Sequence, residues 1–78
     1  MEKLSERLKE LRLVNDLYQK DVAEKVGVVH DSISQYELGD RIPSLKIFLK
    51  LCLFFDVSAD YLLGLTDDPK RHNDRQAP

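Results

Sequence analysis

The clearest pattern of apolar and polar positions lies in the middle of the chain, where two short segments carry apolar residues at helical spacing. The first, Gln19–Val26, places three apolar side chains on one face, and Gly27 follows where a helix end favours a left-handed residue. The second, His30–Leu38, turns Ile33 and Tyr36 inward. Because only two valines remain between Gly27 and the second segment, the pattern predicts two helices joined by a tight turn.

The same periodicity predicts three further helices around this pair, at about 2–14, 45–55 and 59–63. In the fourth helix, we expect the stripe that faces the core to be Leu45, Phe48, Leu49, Cys52 and Phe55. After residue 65 the chain is polar except for Ala77, which favours a tail or linker. The pattern therefore predicts an all-α, compact five-helix domain over 1–65 and a polar tail over 66–78.

The fourth helix also carries a second apolar face, since Ile47, Leu51 and Phe54 recur at spacings of four and three residues. This surplus has two interpretations. A helix at the centre of a small bundle is buried on all sides, or its second face meets another copy of the chain. We favour the second interpretation and predict a homodimer through these three residues, together with the fifth helix.

Charge and composition narrow the possible classes of protein. The net charge is −2, whereas DNA-binding domains are usually basic. The excess acid lies after residue 50, where there are five acidic and three basic residues, so the middle of the chain is close to neutral. One cysteine cannot form an internal disulfide, and no apolar run approaches the ~18 residues of a membrane span. We therefore expect a cytoplasmic protein with no membrane partner, associated with the nucleoid when bound to DNA.

Four segments together resemble the lambda-repressor-like (Cro/Xre-type) helix-turn-helix domains of bacterial and phage regulators. They are RLKELR at 7–12, the spacing Gln19, Ala23, Gly27 and Ile33, ISQYELGDRIPS at 33–44, and LKLCLFFDVSADYLLG at 49–64. The resemblance implies a sequence-specific regulator of transcription, a repressor, that binds double-stranded DNA at a palindromic operator as a homodimer. The alternative is a helix-turn-helix fold that acts through protein contact, such as an antitoxin or a regulatory subunit.

The resemblance also assigns roles to individual residues. Base reading falls to the start and outer face of the second motif helix, here His30, Asp31, Ser32, Ser34 and Gln35. Contacts to DNA phosphates fall to Gln19, Arg41, Ser44 and Lys46. A partly buried ion pair between Arg12 and Glu37 is implied, with the structural role of fixing the angle of the reading helix. For His30 and Asp31 the alternative is an ordinary surface residue, Asp31 then compensating the helix dipole.

Two positions depart from the family pattern, each at the start of a motif helix. Tyr18 and Val29 stand where the family usually has a residue such as serine or threonine that caps the first turn. We expect each missing cap to cost about 1 kcal/mol. Asp21 and Asp31, in the first turns, can recover part of this through the helix dipole.

Catalysis is not predicted. His30, Asp31 and Ser32 have the residue types of a catalytic triad, but adjacent residues on a helix point in different directions and cannot act together. The sequence contains no metal-ligand spacing and no glycine-rich phosphate loop. We therefore expect neither a metal nor another cofactor, and no small-molecule substrate.

Overall fold

The computed structural model describes residues 2–71, and within this range all regular structure is helical. Five helices follow one another along the chain: α1 (Glu2–Val14), α2 (Gln19–Val26), α3 (His30–Leu38), α4 (Leu45–Phe55) and α5 (Ala59–Leu63). The predicted all-α, five-helix architecture is confirmed.

A single core joins the five helices. α1 packs against α3 and α5, while α2 packs against α3 and α4. The largest fully buried side chains come from every helix: Leu8, Val22, Val26, Ile33, Leu51 and Leu62. Because each helix contributes at least one of them, the position of any one helix depends on the other four.

The turn between α2 and α3 depends on Gly27. Its φ of 81° lies in the left-handed region, where a side chain would be strained. Its N–H donates to the carbonyl of Ala23 at 2.9 Å, which ends α2. The chain thus reverses within a few residues, and α3 begins at His30.

The starts of the helices differ in their capping. Ser44 and Ser58 cap α4 and α5, each accepting a hydrogen bond from the backbone N–H three residues ahead, at 3.2 and 3.0 Å. The side chains of Tyr18 and Val29 make no capping hydrogen bond. At α2 the loss is partly compensated, because the Asp21 carboxylate accepts from the Tyr18 N–H at 2.8 Å.

The orientation of α4 corrects the sequence-based prediction. Leu45 and Leu49, expected in the core, are 82% and 57% exposed, whereas Leu51, expected at a dimer interface, is fully buried. Ile47 and Phe54, also expected at that interface, are half-buried and pack against the core. Both faces of α4 are apolar, so periodicity could not choose between them, and packing against α2 and α5 decides. Three members of the expected core stripe do contact the core: Phe48, Cys52 and Phe55.

Residues 66–71 are attached to the domain beyond α5. The buried guanidinium of Arg7 donates to the carbonyl of Thr66 at 2.6 Å and to the carboxylate of Asp67 at 2.7 Å. The carbonyl of Pro69 accepts from the N–H of Ser58 at 3.0 Å. The predicted polar tail thus begins with a segment held against the domain, and its remainder, 72–78, lies outside the described residues. Across 2–71, no helix has both the length and the apolar character that a bilayer crossing requires.

Candidate nucleic-acid interface

α2 and α3 form the predicted helix-turn-helix, with small and buried residues where the helices meet. Ala23 on α2 is 3% exposed, and its methyl side chain allows α3 to approach closely. Ile33 on α3 is fully buried and fills the angle between the two helices. Because packing fixes this angle, one face of α3 is held outward as a rigid surface.

An ion-pair network ties the motif to α1. Arg12 Nε lies 2.6 Å from Glu37 Oε2, and Arg12 Nη2 donates to the other carboxylate oxygen at 3.0 Å. A third donor of the same guanidinium reaches the carbonyl of Leu17 at 2.9 Å. Gln19 Nε2 donates to Glu37 Oε1 at 3.1 Å. One carboxylate at the end of α3 is thereby bound by residues of both α1 and α2.

This network is nearly closed to solvent. The side chains of Arg12 and Glu37 are 11% and 3% exposed. Hydrogen bonding to Glu37 raises the pKa of the Arg12 guanidinium, against the opposing effect of burial, so the guanidinium stays charged. A bidentate pair in this setting has a defined geometry, and losing either partner would leave a buried charge alone. The network therefore fixes the orientation of α3.

The outer face of α3 presents four of the five predicted base readers. His30 and Asp31 are exposed in the first turn, while Ser34 and Gln35 are half-buried one turn further on. Gln35 Oε1 accepts a long hydrogen bond of 3.4 Å from Arg41 Nη1, which follows α3 in the loop. An exposed bond of this length is weak, so an adenine edge could replace it.

Ser32 does not lie on this face. Its side chain belongs to the buried side of α3, with the residue only 9% exposed beside Ile33. The interior side of a helix recurs every three to four residues, and Ser32 falls on it together with Ile33 and Tyr36. The assignment of Ser32 as a base reader is therefore wrong.

The predicted phosphate-contacting residues lie at the start of α2, in the loop after α3 and at the start of α4. Arg41, Ser44 and Lys46 are exposed, and Gln19 is half-buried at the start of α2. Gln19 commits one amide N–H to Glu37, which leaves its second N–H available for a phosphate oxygen. Ser44 caps α4 through its oxygen, and its hydroxyl proton can still be donated.

A hollow of about 430 Å³ opens where the starts of α2 and α3 meet, lined by Arg12, Tyr18, Gln19, Lys20 and His30. Tyr18 and Lys20 were not assigned a DNA-contacting role from the sequence. Lys20 Nζ lies 5.8 Å from the centre of the Tyr18 ring, so a cation and an aromatic ring stand together at this edge. The signal that could have found them is their position on either side of Gln19.

A second outward surface is apolar. Leu45, Leu49 and Leu53 are 82%, 57% and 53% exposed and follow one another at spacings of four residues along α4. We call these three leucines the α4 apolar face. They border a hollow of about 480 Å³, whose lining also includes Phe48, Cys52, Val57, Ser58, Ala59 and Arg71. Burial raises the pKa of the Cys52 thiol, which keeps it protonated and apolar in character.

No group of three or more histidine, cysteine, aspartate or glutamate residues within 2–71 is arranged to hold an ion. The ion-pair network and the outer face of α3 bring together donors and acceptors of the kinds that bind base edges and phosphates.

The pairing of α2 and α3 within a five-helix fold is that of a helix-turn-helix domain. A family model described as helix-turn-helix matches residues 8–62, and the chain belongs to this family of transcriptional regulators, which are not enzymes. The family resemblance identified in the sequence is thereby confirmed.

Individual relatives fit this classification. The transcriptional regulator YobD of Bacillus subtilis is 42% identical over 64 residues, which cover 82% of this chain and 57% of YobD. The transcriptional regulator MJ0272 of Methanocaldococcus jannaschii is 35% identical over 65 residues, covering 83% of this chain and 98% of that protein. This chain spans about half the length of YobD and of two other curated relatives.

A solved structure provides the same fold. The P22 c2 repressor, crystallised in complex with a synthetic operator, matches with a TM-score of 0.73 and 30% identity. The match covers 76% of this chain and 89% of that chain.

Proposed function

We propose that this domain binds double-stranded DNA with sequence preference and represses transcription from the bound site. The observation that carries the proposal is the outer face of α3, where His30, Asp31, Ser34 and Gln35 stand clear of the core on a helix fixed by the buried Arg12–Glu37 pair. Rigid placement of hydrogen-bonding side chains is what base reading requires. The similarity to a repressor crystallised with an operator supports it. A DNA target also implies a cytoplasmic location.

In this proposal α3 enters the major groove and the residues around it hold the backbone. Arg41, next to Gln35, and Gln19, Ser44 and Lys46 supply the phosphate contacts. Because the chain carries a net charge of −2, the electrostatic contribution to affinity is small for a DNA-binding domain. One domain alone therefore binds weakly.

A homodimer would overcome this weakness. We propose that the α4 apolar face meets the same face of a second copy, in place of the buried Leu51 and the half-buried Ile47 and Phe54. An interface of this kind is isologous, so the two α3 helices would be related by a two-fold axis. The operator would accordingly be palindromic, with half-sites about one helical turn, ~34 Å, apart.

Selection from randomised duplexes tests the proposal. The purified chain is incubated with a library of duplex DNA, and retained duplexes are sequenced over several rounds. The proposal expects an inverted repeat to emerge and the chain to bind it far more tightly than a scrambled duplex of equal composition. Enrichment of no sequence, with the protein folded by circular dichroism, would overturn it.

The α4 apolar face also favours a second candidate, in which the domain acts by protein contact as an antitoxin or regulatory subunit. The three leucines of this face are more than half exposed, and the middle of the chain carries no excess of positive charge. Such a surface suits a protein partner as well as a second copy. The two candidates differ in what covers the α4 apolar face, which is a second copy of the chain in the first and a different protein in the second. A chain that is monomeric at high concentration and selects no duplex would favour this second candidate.

A further inference from the structure

Val29 occupies an unusual position for an apolar residue. It is the N-cap residue of α3, with backbone φ −77° and ψ 157°, and its side chain makes no capping hydrogen bond. The side chain is 69% exposed, and the exposed His30 and Asp31 follow it directly. Val29 is therefore an exposed apolar residue at the leading end of α3.

Local physics does not favour valine at this place. Ser44 and Ser58 show that the same chain caps α4 and α5 in the usual way, whereas valine is among the poorest N-cap residues. Packing does not account for the choice either. Val28, the preceding residue, packs against the core, and Val29 does not belong to that cluster. Departures from local rules without a gain in packing are found at functional sites.

The α4 apolar face gives Val29 no partner. The hollow beside the α4 apolar face is lined by residues of α4, the start of α5 and Arg71, and Val29 is not among them. A phosphate contact is excluded by chemistry, since a valine side chain has neither a donor nor a charge. What remains at the leading end of a reading helix is an apolar group in the DNA.

The major groove offers one such group, the C5-methyl of thymine. The N-terminal residues of a recognition helix are those that contact base edges. We propose that Val29 is a specificity-determining residue that packs against the C5-methyl of a thymine in each half-site. This inference rests on the proposed function, because it requires α3 to lie in the major groove.

Replacement of thymine by deoxyuridine tests the inference, because it removes the methyl group and keeps base pairing. The probe is the duplex obtained by selection on the parent chain. Each thymine is replaced in turn, and affinity is measured by fluorescence anisotropy. We expect one position per half-site to lose about fourfold in affinity, the factor that corresponds to one buried methyl group.

Variants of the protein then locate the contact. With Val29→Ala, the same deoxyuridine substitution should have no further effect, so the protein and DNA changes should not be additive. Val14→Ala is the matched control, because Val14 is a valine of similar exposure, 75%, at the end of α1. That variant should keep the full fourfold sensitivity.

Two further variants separate reading from folding. Val29→Ser restores a cap and should raise the melting temperature, yet it should show no sensitivity to the thymine methyl. Val29→Thr restores a cap and keeps one methyl group, so it should retain part of the sensitivity. If the effect on DNA merely reflected helix stability, both caps would improve binding to the thymine and deoxyuridine duplexes alike.

The outcomes distinguish this inference from the proposed function. Selection of a duplex, followed by equal deoxyuridine losses in the parent and in Val29→Ala, would overturn the contact and leave DNA binding intact. A selected half-site without thymine, or one insensitive to every deoxyuridine, would overturn it too. Failure to select any duplex would overturn both.

Discussion

The two outward surfaces of this domain are held in different ways. The face of α3 is oriented by a bidentate ion pair, Arg12 with Glu37, to which Gln19 adds a third contact from α2. The α4 apolar face consists of leucines, which have no directional contacts and depend on the packing of the opposite side of the helix. The first surface is therefore specified by a few side chains, and the second by the whole core.

This difference explains what a single substitution can do at each surface. On the α3 side, changing a network residue is expected to tilt or free α3 without altering the proposed base-reading residues. On the α4 side, adding a charge changes the surface itself and leaves the fold intact, since an exposed leucine contributes little to the core.

The largest effect is expected from Leu49→Glu on the α4 apolar face. A carboxylate at the centre of the proposed interface would meet its counterpart from the second copy, and the dimer should separate into folded monomers. Affinity for the selected inverted repeat should fall by about 10²–10⁴-fold, because the second half-site would no longer be bound intramolecularly. Sedimentation and DNA titration measure the two effects.

Leu13→Glu is the control for this change. Leu13 is exposed to nearly the same extent as Leu49, 54% against 57%, but it lies on α1. It should leave both the mass in solution and the affinity unchanged. Dimers of undiminished stability in Leu49→Glu would show that the copies associate through another surface.

The same contrast shows what the sequence could and could not predict. In the helix-turn-helix, Ala23 is small where the helices cross, Gly27 adopts the left-handed turn conformation, and Ile33 is buried between the helices. Their spacing therefore predicted the motif and the bounds of α2 and α3. The rotation of α4 was not predictable in this way. Leu49 and Leu51 are the same residue type on opposite faces, and only the three-dimensional packing determines which is buried.

Contacts between the two ends of the chain could not be predicted from the apolar periodicity either. Arg7 is a charged residue on α1, yet it is 8% exposed and bound to Thr66 and Asp67. A polar contact across about sixty positions leaves no periodic signal. Ser32 was misassigned for a related reason, since membership of a motif does not give the direction of a side chain.

The next largest effect tests the network of the α3 side. Arg12→Ala should lower the free energy of unfolding by about 1–3 kcal/mol, because Glu37 would stay almost buried without its partner. Denaturant titration followed by circular dichroism gives the value. Arg71→Ala removes an ion pair with Asp56, whose side chain is 79% exposed, and should change stability by less than about 1 kcal/mol. Equal losses in the two variants would mean that burial of the Arg12–Glu37 pair has no energetic consequence.

A third prediction distinguishes base recognition by Gln35 from phosphate contact by its neighbour Arg41. Gln35→Ala should cost about 1–3 kcal/mol in binding to the selected duplex and relax the preference at one base pair. Arg41→Ala should weaken binding to the selected and scrambled duplexes alike. It should also reduce the slope of log affinity against log salt concentration by about one per subunit, the value for one lost phosphate contact. Titrations on both duplexes at several salt concentrations distinguish them. The assignment fails if the loss in Gln35→Ala is independent of sequence.

The smallest effect concerns Asp31, an exposed acid in the first turn of the reading helix. Two roles make opposite predictions for Asp31→Asn. If the carboxylate accepts a hydrogen bond from a cytosine amine, the variant should bind the selected duplex less well and shift its base preference there. If it serves the helix dipole, losing a negative charge beside phosphates should strengthen binding to every duplex, by about twofold to fivefold, with a small loss of thermal stability. We expect the second result, because a domain with so little positive charge gains affinity from any acid removed near the DNA. Titration of both proteins against selected and scrambled duplexes decides, and a loss confined to the selected duplex would make Asp31 a reader.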